Sequence, residues 1–82
     1  MKDFLTYLVL QLVEHQDDVS VEEIDNGGGS FQYTIHVNSQ DIGKIIGKEG
    51  KIIQAIRNLV KVLAVKNGIQ VRIEIAENLP KT

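Results

Sequence analysis

The sequence predicts an α/β (α+β) fold: a three-stranded mixed sheet covered on one face by three helices. Two observations predict it. Three segments repeat apolar residues with the 3.6-residue period of a helix, and three shorter segments have the composition or the alternation of a strand. Their order is α-β-β-α-α-β, and the helical crossover before the last strand favours a parallel arrangement of that strand with the one before it.

Size and composition fit one small domain, which we predict over residues 1–77, with residues 78–82 as a flexible tail. A chain of 82 residues buries only about 60% of its unfolded surface, so a partner could add stability. Apolar residues make up 43% of the chain and charged residues 24%, which is typical of a soluble globular protein. The chain has no cysteine, which excludes disulfides and cysteine-ligated metal sites and suits a reducing, cytoplasmic environment.

The first helix is predicted over residues 3–15. Most of its apolar residues lie on one arc: Phe4, Leu5, Leu8, Val9 and Leu12. Leu10 and Val13 lie off that arc, so the segment is more apolar than one buried face requires. The apolar stretch is too short to span a bilayer and carries no small-residue cleavage site, so neither a membrane span nor export is predicted.

Two strands are predicted to follow as a hairpin. Residues 19–25 form the first strand, and Phe31–Val37 ("FQYTIHV") forms the second, with alternate residues on its buried face. Between them, Asn26–Ser30 ("NGGGS") supplies the positive φ angles that a tight turn needs. A glycine run can also bind phosphate, but neither a helix nor a lysine follows this one, which favours the turn.

The second half of the chain is predicted to contain two helices and a strand. Asn38 or Ser39 can cap a helix that runs to about Ile46. A longer helix spans Lys51–Lys66, and the alternating segment at residues 69–76 forms the last strand. One side of the longer helix is predicted to be apolar: Ile52, Ile53, Ala55, Ile56, Leu59, Val60, Val62 and Leu63.

Charge is distributed unevenly, although the net charge is only −2. Residues 1–30 contain one basic and seven acidic side chains, whereas residues 44–66 contain six basic side chains and one acidic, Glu49. Such an asymmetry favours a polyanion on one side of the molecule. Lysines that only solvate helix faces would give the same pattern, so the charges alone leave both interpretations open.

The segment Ile45–Ile53, "IIGKEGKII", places two glycines three residues apart between two helices. Gly47 and Gly50 let the chain turn sharply, and the amides that open the second helix form a site for anions. Three lysines flank this site: Lys44, Lys48 and Lys51. Four isoleucines are predicted to form an apolar floor beside it for unstacked bases: Ile42, Ile45, Ile46 and Ile53. The combination suits single-stranded nucleic acid, whereas a G-x-x-G motif alone would equally fit a plain helix–turn–helix corner.

The same segment matches the I-G-x-x-G-x-x-I pattern of KH domains, and the predicted order of elements resembles their type II, bacterial-like arrangement. This resemblance covers roughly residues 2–76. A chain of about this length with "IIGKEGKIIQAIRNLV" in its middle is similar to the small bacterial KhpA family of RNA-binding proteins. The resemblance implies a groove for about four nucleotides of single-stranded RNA, clamped by the backbone of the G-x-x-G turn.

The resemblance also implies roles by position: Gly47 and Gly50 form the clamp, Lys48 presents charge at its tip, and Ile46 and Ile53 are flanking aliphatic residues, more core than contact. Glu49 departs from the most favourable chemistry, because a carboxylate at the tip repels phosphate. No aromatic residue lies near the turn in sequence, so base stacking would depend on aliphatic side chains and on Arg57.

The family further implies a cytoplasmic RNA chaperone or post-transcriptional regulator that pairs with itself or with a larger KH-containing protein, KhpB. In some bacteria the family is linked to cell-wall growth and cell shape. The residues offer two candidate surfaces for pairing: Leu10 and Val13 on the first helix, and Val62 and Val65 on the long one. The second hypothesis is therefore an interaction module that pairs with another KH protein and binds RNA weakly. Ordinary exposed aliphatic residues would look the same.

Enzymatic alternatives fit the sequence poorly. A nucleotide-binding P-loop needs G-x-x-x-x-G-K followed by serine or threonine, whereas Gly50–Lys51 is followed by Ile52. His15 and His36 lie on different predicted elements, and the acidic residues follow no metal-ligand spacing. We therefore predict no enzymatic activity, no cofactor and no metal site.

Overall fold

A computed structural model describes residues 1–77, with the side chains of residues 1–76. The helices and strands are α1 (Lys2–Leu10), β1 (Ser20–Asp25), β2 (Ser30–Val37), α2 (Ile42–Ile46), α3 (Lys51–Lys66) and β3 (Gln70–Glu77). The predicted order α-β-β-α-α-β is confirmed. The tail predicted at residues 78–82 lies outside the described residues. Within residues 1–77, every helix falls short of the length and hydrophobicity that a bilayer span requires.

β2 lies in the middle of the sheet, antiparallel to β1 and parallel to β3. The register pairs Ile35 with Val21 on β1 and with Ile75 on β3. The helical segment α2–α3 supplies the crossover that two adjacent parallel strands require. The predicted mixed sheet is therefore confirmed.

The β1–β2 hairpin closes through a glycine turn. The Asn26 amide donates to the Ser30 carbonyl at 2.9 Å, and Gly27–Gly29 all have positive φ angles. The Gly29 carbonyl also accepts a hydrogen bond from the Gln70 amide at 2.9 Å, which joins this turn to the start of β3. The glycine run thus forms the predicted turn.

The core lies between the sheet and the helices. On β2, the alternate residues Tyr33, Ile35 and Val37 are buried, as the sequence predicts. The helices contribute the following buried side chains: Leu5 and Val9 from α1, Ile45 from α2, and Ile53, Ile56, Val60 and Ala64 from α3. The intervening polar residues of β2 point to the other face of the sheet.

α3 buries a narrower face than its sequence predicts. Its buried residues recur every three or four positions, so they lie along one line of the helix. Leu59 and Val62, predicted on the apolar side, are exposed instead, and Val65 beside them is 72% exposed. The sheet contacts α3 from one side only, so aliphatic residues beyond the contact line meet solvent.

α1 ends at Leu10, well before the predicted residue 15. The next two amides donate to carbonyls three positions back, at 3.2 and 2.9 Å, which tightens the last turn and ends the helix. The amides of Glu14 and His15 then donate to the side chain of Asp41 instead of to helical carbonyls. Val13 folds into the core in this segment. Helical periodicity could not reveal an acceptor that lies 26 residues away from His15.

α2 begins later than predicted. The side chain of Asn38 accepts a hydrogen bond from the Gln40 amide at 2.8 Å, so it caps the 3₁₀ turn Ser39–Asp41. The α-helix proper starts only at Ile42. Asn38 is thus the cap of the segment, one short turn ahead of the helix.

Asp41 is the one buried charged side chain in the part of the chain that the structure describes. Its Oδ1 accepts hydrogen bonds from the Glu14 amide and from Lys44 Nζ, both at 3.3 Å. Its Oδ2 accepts from the His15 amide at 2.9 Å and from the His15 ring Nδ1 at 3.0 Å. Burial raises the pKa of this carboxyl, but the hydrogen bonds from His15, Glu14 and Lys44 lower it by more. The pKa of Asp41 therefore lies well below its usual range.

Two neighbouring valines of α3 test the packing of the helix. Val60→Ala should lower the free energy of unfolding by about 2 kcal/mol, because it removes two buried methylene equivalents of about 0.8 kcal/mol each and leaves a cavity. Val62→Ala makes the same chemical change at a side chain that is 64% exposed, so the change should stay within about 0.5 kcal/mol. Urea denaturation of dilute protein measures both. Equal losses would contradict the assigned orientation of α3.

The lowered pKa of Asp41 predicts a pH dependence of stability. The stability that this carboxylate contributes is present above the unfolded-state pKa of about 3.9 and is lost as the pH falls below it. The parent chain should therefore be more stable than Asp41→Asn near neutral pH, and the two free energies of unfolding should converge on acidification. Urea denaturation of both chains between about pH 6 and about pH 2 measures this. A difference that stays constant over that range would contradict the contacts assigned to Asp41.

Candidate nucleic-acid interface

The turn between α2 and α3 consists of Gly47–Gly50. Gly47, Glu49 and Gly50 have positive φ angles of 76°, 58° and 74°. The Gly47 amide donates to the Gly43 carbonyl at 2.8 Å and ends α2, and the Gly50 amide donates to the Gly47 carbonyl at 3.1 Å. The chain therefore passes from one helix to the next within a single tight turn.

Glycine is required at Gly47 for two reasons. Its φ of 76° combined with a ψ of 174° is essentially restricted to glycine. A Cβ at this position would also lie 2.5 Å from Cγ1 of Ile52. Gly50 has the left-handed conformation that favours glycine, but a Cβ there would meet open space. Gly47 thus packs against α3, whereas Gly50 leaves the surface of the turn open.

The tip of the turn is accessible from solvent. Lys48 and Glu49 are exposed, and the two glycines are partly exposed. Lys51 Nζ lies 3.9 Å from Glu49 Oε2, with both side chains largely in solvent, and an ion pair of this kind contributes little free energy. Glu49 therefore offsets part of the positive charge but leaves both lysines within reach of a ligand.

The N-terminus of α3 lies in this turn. Its N-cap is Gly50, which has no side chain to accept hydrogen bonds from the first amides of the helix. The Lys51 amide already donates to the Lys48 carbonyl; the amides that follow it and the helix dipole place positive charge at the start of a 16-residue helix. Lys48 and Lys51 add two ammonium groups beside them. The arrangement offers hydrogen-bond donors and positive charge to an anion.

A groove of about 550 Å³ runs between α3 and β3. It is lined by Arg57, Lys61, Ala64 and Val65 from α3 and by residues 69–74 from β3 and the turn before it. Within residues 1–77, β3 is an edge strand, so its outer backbone groups have no strand partner there. The Arg57 Nη2 donates to the Ile73 carbonyl at 3.4 Å, across the groove from helix to strand. The groove begins about two turns of α3 beyond Gly50.

The predicted apolar floor beside the turn is not formed as expected. Ile45 is completely buried in the core, so it cannot receive a base, whereas Ile46 is 37% exposed although it was expected to be more core than contact. Ile53 is buried, and Ile42 packs partly buried against the core. α2 has about one and a half turns, and its orientation directs Ile45 toward the core. The next residue, Ile46, therefore points outward. Apolar surface beside basic residues lies instead in the α3–β3 groove.

Lys44 also differs from its predicted role. Its Nζ lies 3.2 Å from Glu14 Oε1 and 3.3 Å from Asp41 Oδ1. The hydrogen bond to Glu14 raises the pKa of the ammonium, burial opposes this rise, and the hydrogen bond to Asp41 adds to it. Lys44 is thus held by two carboxylates, whereas Lys48 and Lys51 extend into solvent.

The groove residues on β3 were not predicted from the sequence, nor were Lys61 and Ala64 on α3, and Val65 was predicted only as a pairing residue. Lys61 adds positive charge to the groove wall, Arg72 donates to the Glu74 carboxylate beside it at 2.8 Å, and Ile73 supplies the carbonyl that Arg57 contacts. The alternating pattern predicts β3, but periodicity does not show which helix lies over its free edge. Only Arg57 was identified in advance, from its place on the polar side of α3.

The two predicted pairing surfaces differ in their exposure to solvent. Val13 is buried and Leu10 is half-buried, so the end of α1 offers little free apolar surface. Val62 and Val65 are exposed and lie beside Leu59, which is 44% exposed. Leu59, Val62 and Val65 therefore form an exposed apolar stripe on α3, and Val65 also lines the α3–β3 groove.

Comparison with known proteins agrees with the fold and with the G-x-x-G turn. Residues 2–75 match the family model described as "KhpA/KhpB, KH domain". The RNA-binding protein KhpA of Chlamydia caviae is 44% identical over 78 residues, which cover 95% of this chain and 99% of that protein. The RNA-binding protein KhpA of Listeria monocytogenes is 39% identical over 79 residues, which cover 94% of this chain and 100% of that protein. The chain therefore belongs to the KhpA/KhpB family of KH domains.

Proposed function

We propose that this protein binds single-stranded RNA, with the sugar-phosphate backbone at the Gly47–Gly50 turn and the bases in the α3–β3 groove. The observation that carries the proposal is a helix N-terminus that lacks a side-chain cap and lies beside two solvent-exposed lysines, with a groove farther along the same helix that Arg57 and Lys61 line. The relatives named RNA-binding protein KhpA support it.

Phosphate fits the turn for chemical reasons. Backbone amides at a helix N-terminus donate to anionic oxygens, and charge-assisted hydrogen bonds of this kind are the stronger ones. Lys48 and Lys51 can reach a phosphate as mobile point charges. Gly50 lets the RNA backbone approach closely, because no Cβ occupies the space above it.

A single strand fits the groove better than a duplex. Val65, Ile69 and Val71 line it with accessible apolar surface, while Arg57 offers a planar guanidinium on which a base can stack. The free edge of β3 adds backbone donors and acceptors for base edges. In a duplex these base edges are paired and stacked, so sequence-dependent contacts require an unpaired strand.

The number of cations predicts modest affinity. In the part of the chain that the structure describes, the cations at the turn and the groove are Lys48, Lys51, Arg57, Lys61 and Arg72. Two of them are paired with carboxylates: Lys51 with Glu49 at 3.9 Å, and Arg72 at 2.8 Å with Glu74, which also lines the groove. Binding should weaken with salt by a slope of about −0.7 per neutralised phosphate on a single strand. Glu49 at the tip subtracts from this attraction. Weak, sequence-tolerant binding suits an RNA chaperone or post-transcriptional regulator in the cytoplasm, and the family resemblance extends that role to cell-wall growth and cell shape.

A second candidate function is pairing with another KH protein. The exposed stripe of Leu59, Val62 and Val65 favours it, because a small monomer gains nothing from three neighbouring aliphatic side chains in solvent. The partner would be a second copy of this chain or a larger KhpB-like protein, and two linked clamps would gain avidity for one RNA.

Reversing the charge at the tip tests the clamp. Lys48→Asp combined with Glu49→Asp places two carboxylates beside the phosphate site, and aspartate tolerates the positive φ at position 49. Retention of single-stranded RNA in a filter assay should fall about tenfold or more, since a charge-assisted contact of about 1.5–3 kcal/mol is replaced by repulsion. Circular dichroism should not change. The control Lys2→Asp makes the same net charge change on α1 and should retain RNA like the parent; loss in both variants, or in neither, would contradict the clamp.

A charge in the stripe tests pairing. Val62→Asp should reduce the mass measured by light scattering from that of a dimer to that of a monomer, because pairing would bury an uncompensated carboxylate. Gln54→Asp, at another exposed position of α3, is the matched control and should leave the mass unchanged. Val62 does not line the groove, so RNA binding by each clamp should survive. A parent chain of monomer mass would exclude pairing between copies of this chain, and a dimer mass that is unchanged after the substitution would exclude this surface.

A further inference from the structure

The carboxylate of Asp41 connects two parts of the chain that lie far apart in sequence. It accepts four hydrogen bonds, two from backbone amides after α1, one from the His15 ring and one from Lys44 in α2. A carboxylate out of contact with water is costly unless all of its acceptor sites are used, so these donors are held in place. Because an ionised carboxylate only accepts, the His15 Nδ1 must carry the proton in this contact.

α2 depends on such contacts for its position. It has only five residues, Ile42–Ile46, and a helix of this length has little stability of its own. Asp41 immediately precedes its first residue, and Lys44 returns from within the helix to the same carboxylate. At its other end, α2 runs directly into Gly47. A shift of α2 would therefore shift the G-x-x-G turn.

We propose that Asp41 is a positioning residue for RNA binding: it fixes α2 against the segment after α1 and thereby sets the place of the Gly47–Gly50 turn, while Lys44 completes this anchor and does not contact phosphate. The inference rests on the proposed function, because it concerns the geometry of the proposed clamp. It assigns to two charged residues near the clamp a role distinct from that of Lys48 and Lys51.

The contacts of Lys44 explain why it differs from the other lysines. To reach a phosphate, its ammonium would have to leave Glu14 at 3.2 Å and Asp41 at 3.3 Å. Asp41 would then lose one of its donors while remaining buried, which is unfavourable. Lys51, by contrast, loses only its solvent-exposed ion pair with Glu49, at 3.9 Å, when it binds a phosphate.

The first experiment compares Asp41→Asn with Asp17→Asn. Asparagine keeps the shape of the side chain, but its NH₂ group cannot accept the hydrogen bonds that the carboxylate accepts. At a temperature where circular dichroism shows both chains folded, the Kd of Asp41→Asn for a fluorescent random-sequence RNA of about eight nucleotides should rise about fivefold, the lower end of couplings between sites. The amide NMR signals of Gly47 and Gly50 should shift. Asp17→Asn removes the same charge from an exposed position, so it should change neither the Kd nor the signals of Gly47 and Gly50.

The second experiment uses the salt dependence of binding. Lys48→Gln should reduce the slope of log K against log salt by about 0.7, the value for one phosphate contact on a single strand. Lys44→Gln should leave the slope of the parent unchanged and lower the affinity at every salt concentration. Asp41 keeps three of its four donors in this variant, so the chain should fold.

Two results would overturn the inference. One is a folded Asp41→Asn chain with unchanged affinity and unchanged Gly47 and Gly50 signals. The other is a Lys44→Gln chain whose slope of log K against log salt falls as much as that of Lys48→Gln. If Asp41→Asn does not fold, this salt experiment alone tests the inference. A parent chain that retains no RNA overturns the proposed function and this inference together, whereas a binding parent beside an unaffected Asp41→Asn overturns this inference only.

Discussion

The contact between Gly47 and Ile52 is the constraint on which the rest of the interface depends. No side chain fits between the end of α2 and the first turn of α3, because a Cβ at position 47 would lie 2.5 Å from Ile52. With glycine there, the two helices meet closely and the N-terminus of α3 opens at the surface without a cap. α3 then runs beside the free edge of β3, so the turn and the groove lie along the same helix.

The order of the strands explains how a chain of net charge −2 can present a surface for a polyanion. The exposed acids of β1, Glu22, Glu23 and Asp25, lie on the opposite edge of the sheet from β3. Two strand spacings of about 4.8 Å separate these edges, which is comparable to the Debye length of about 8 Å at physiological salt. The acids therefore repel RNA from their own edge, and salt screens part of their repulsion at the groove. Charge asymmetry directs the ligand to one side, and net charge is a poor guide to binding.

The sequence predicts those features that depend on local chemistry. The bounds of α3 agree with the prediction because glycine and the helical period mark them directly, and the G-x-x-G turn follows from two glycines that both have positive φ. The end of α1 could not be predicted, since it is set by hydrogen bonds to Asp41, 26 residues away from His15. Periodicity groups the aliphatic residues of a helix but does not say which of them face the sheet, so Ile45, Ile46 and the α3–β3 groove were misjudged. The role of Lys44 depends on Glu14 and Asp41, which only the folded chain brings together.

The most direct test of the account is an NMR titration of the ¹⁵N-labelled chain with short single-stranded RNA. The account predicts that the amide signals of Lys48–Lys51 and of the groove residues Val71–Ile73 shift together and saturate at the same RNA concentration, while those of β1 stay in place. Shifts confined to β1, or to Leu59 and Val62 on the exposed stripe, would contradict it, as would a titration in which the amides of the Gly47–Gly50 turn do not move.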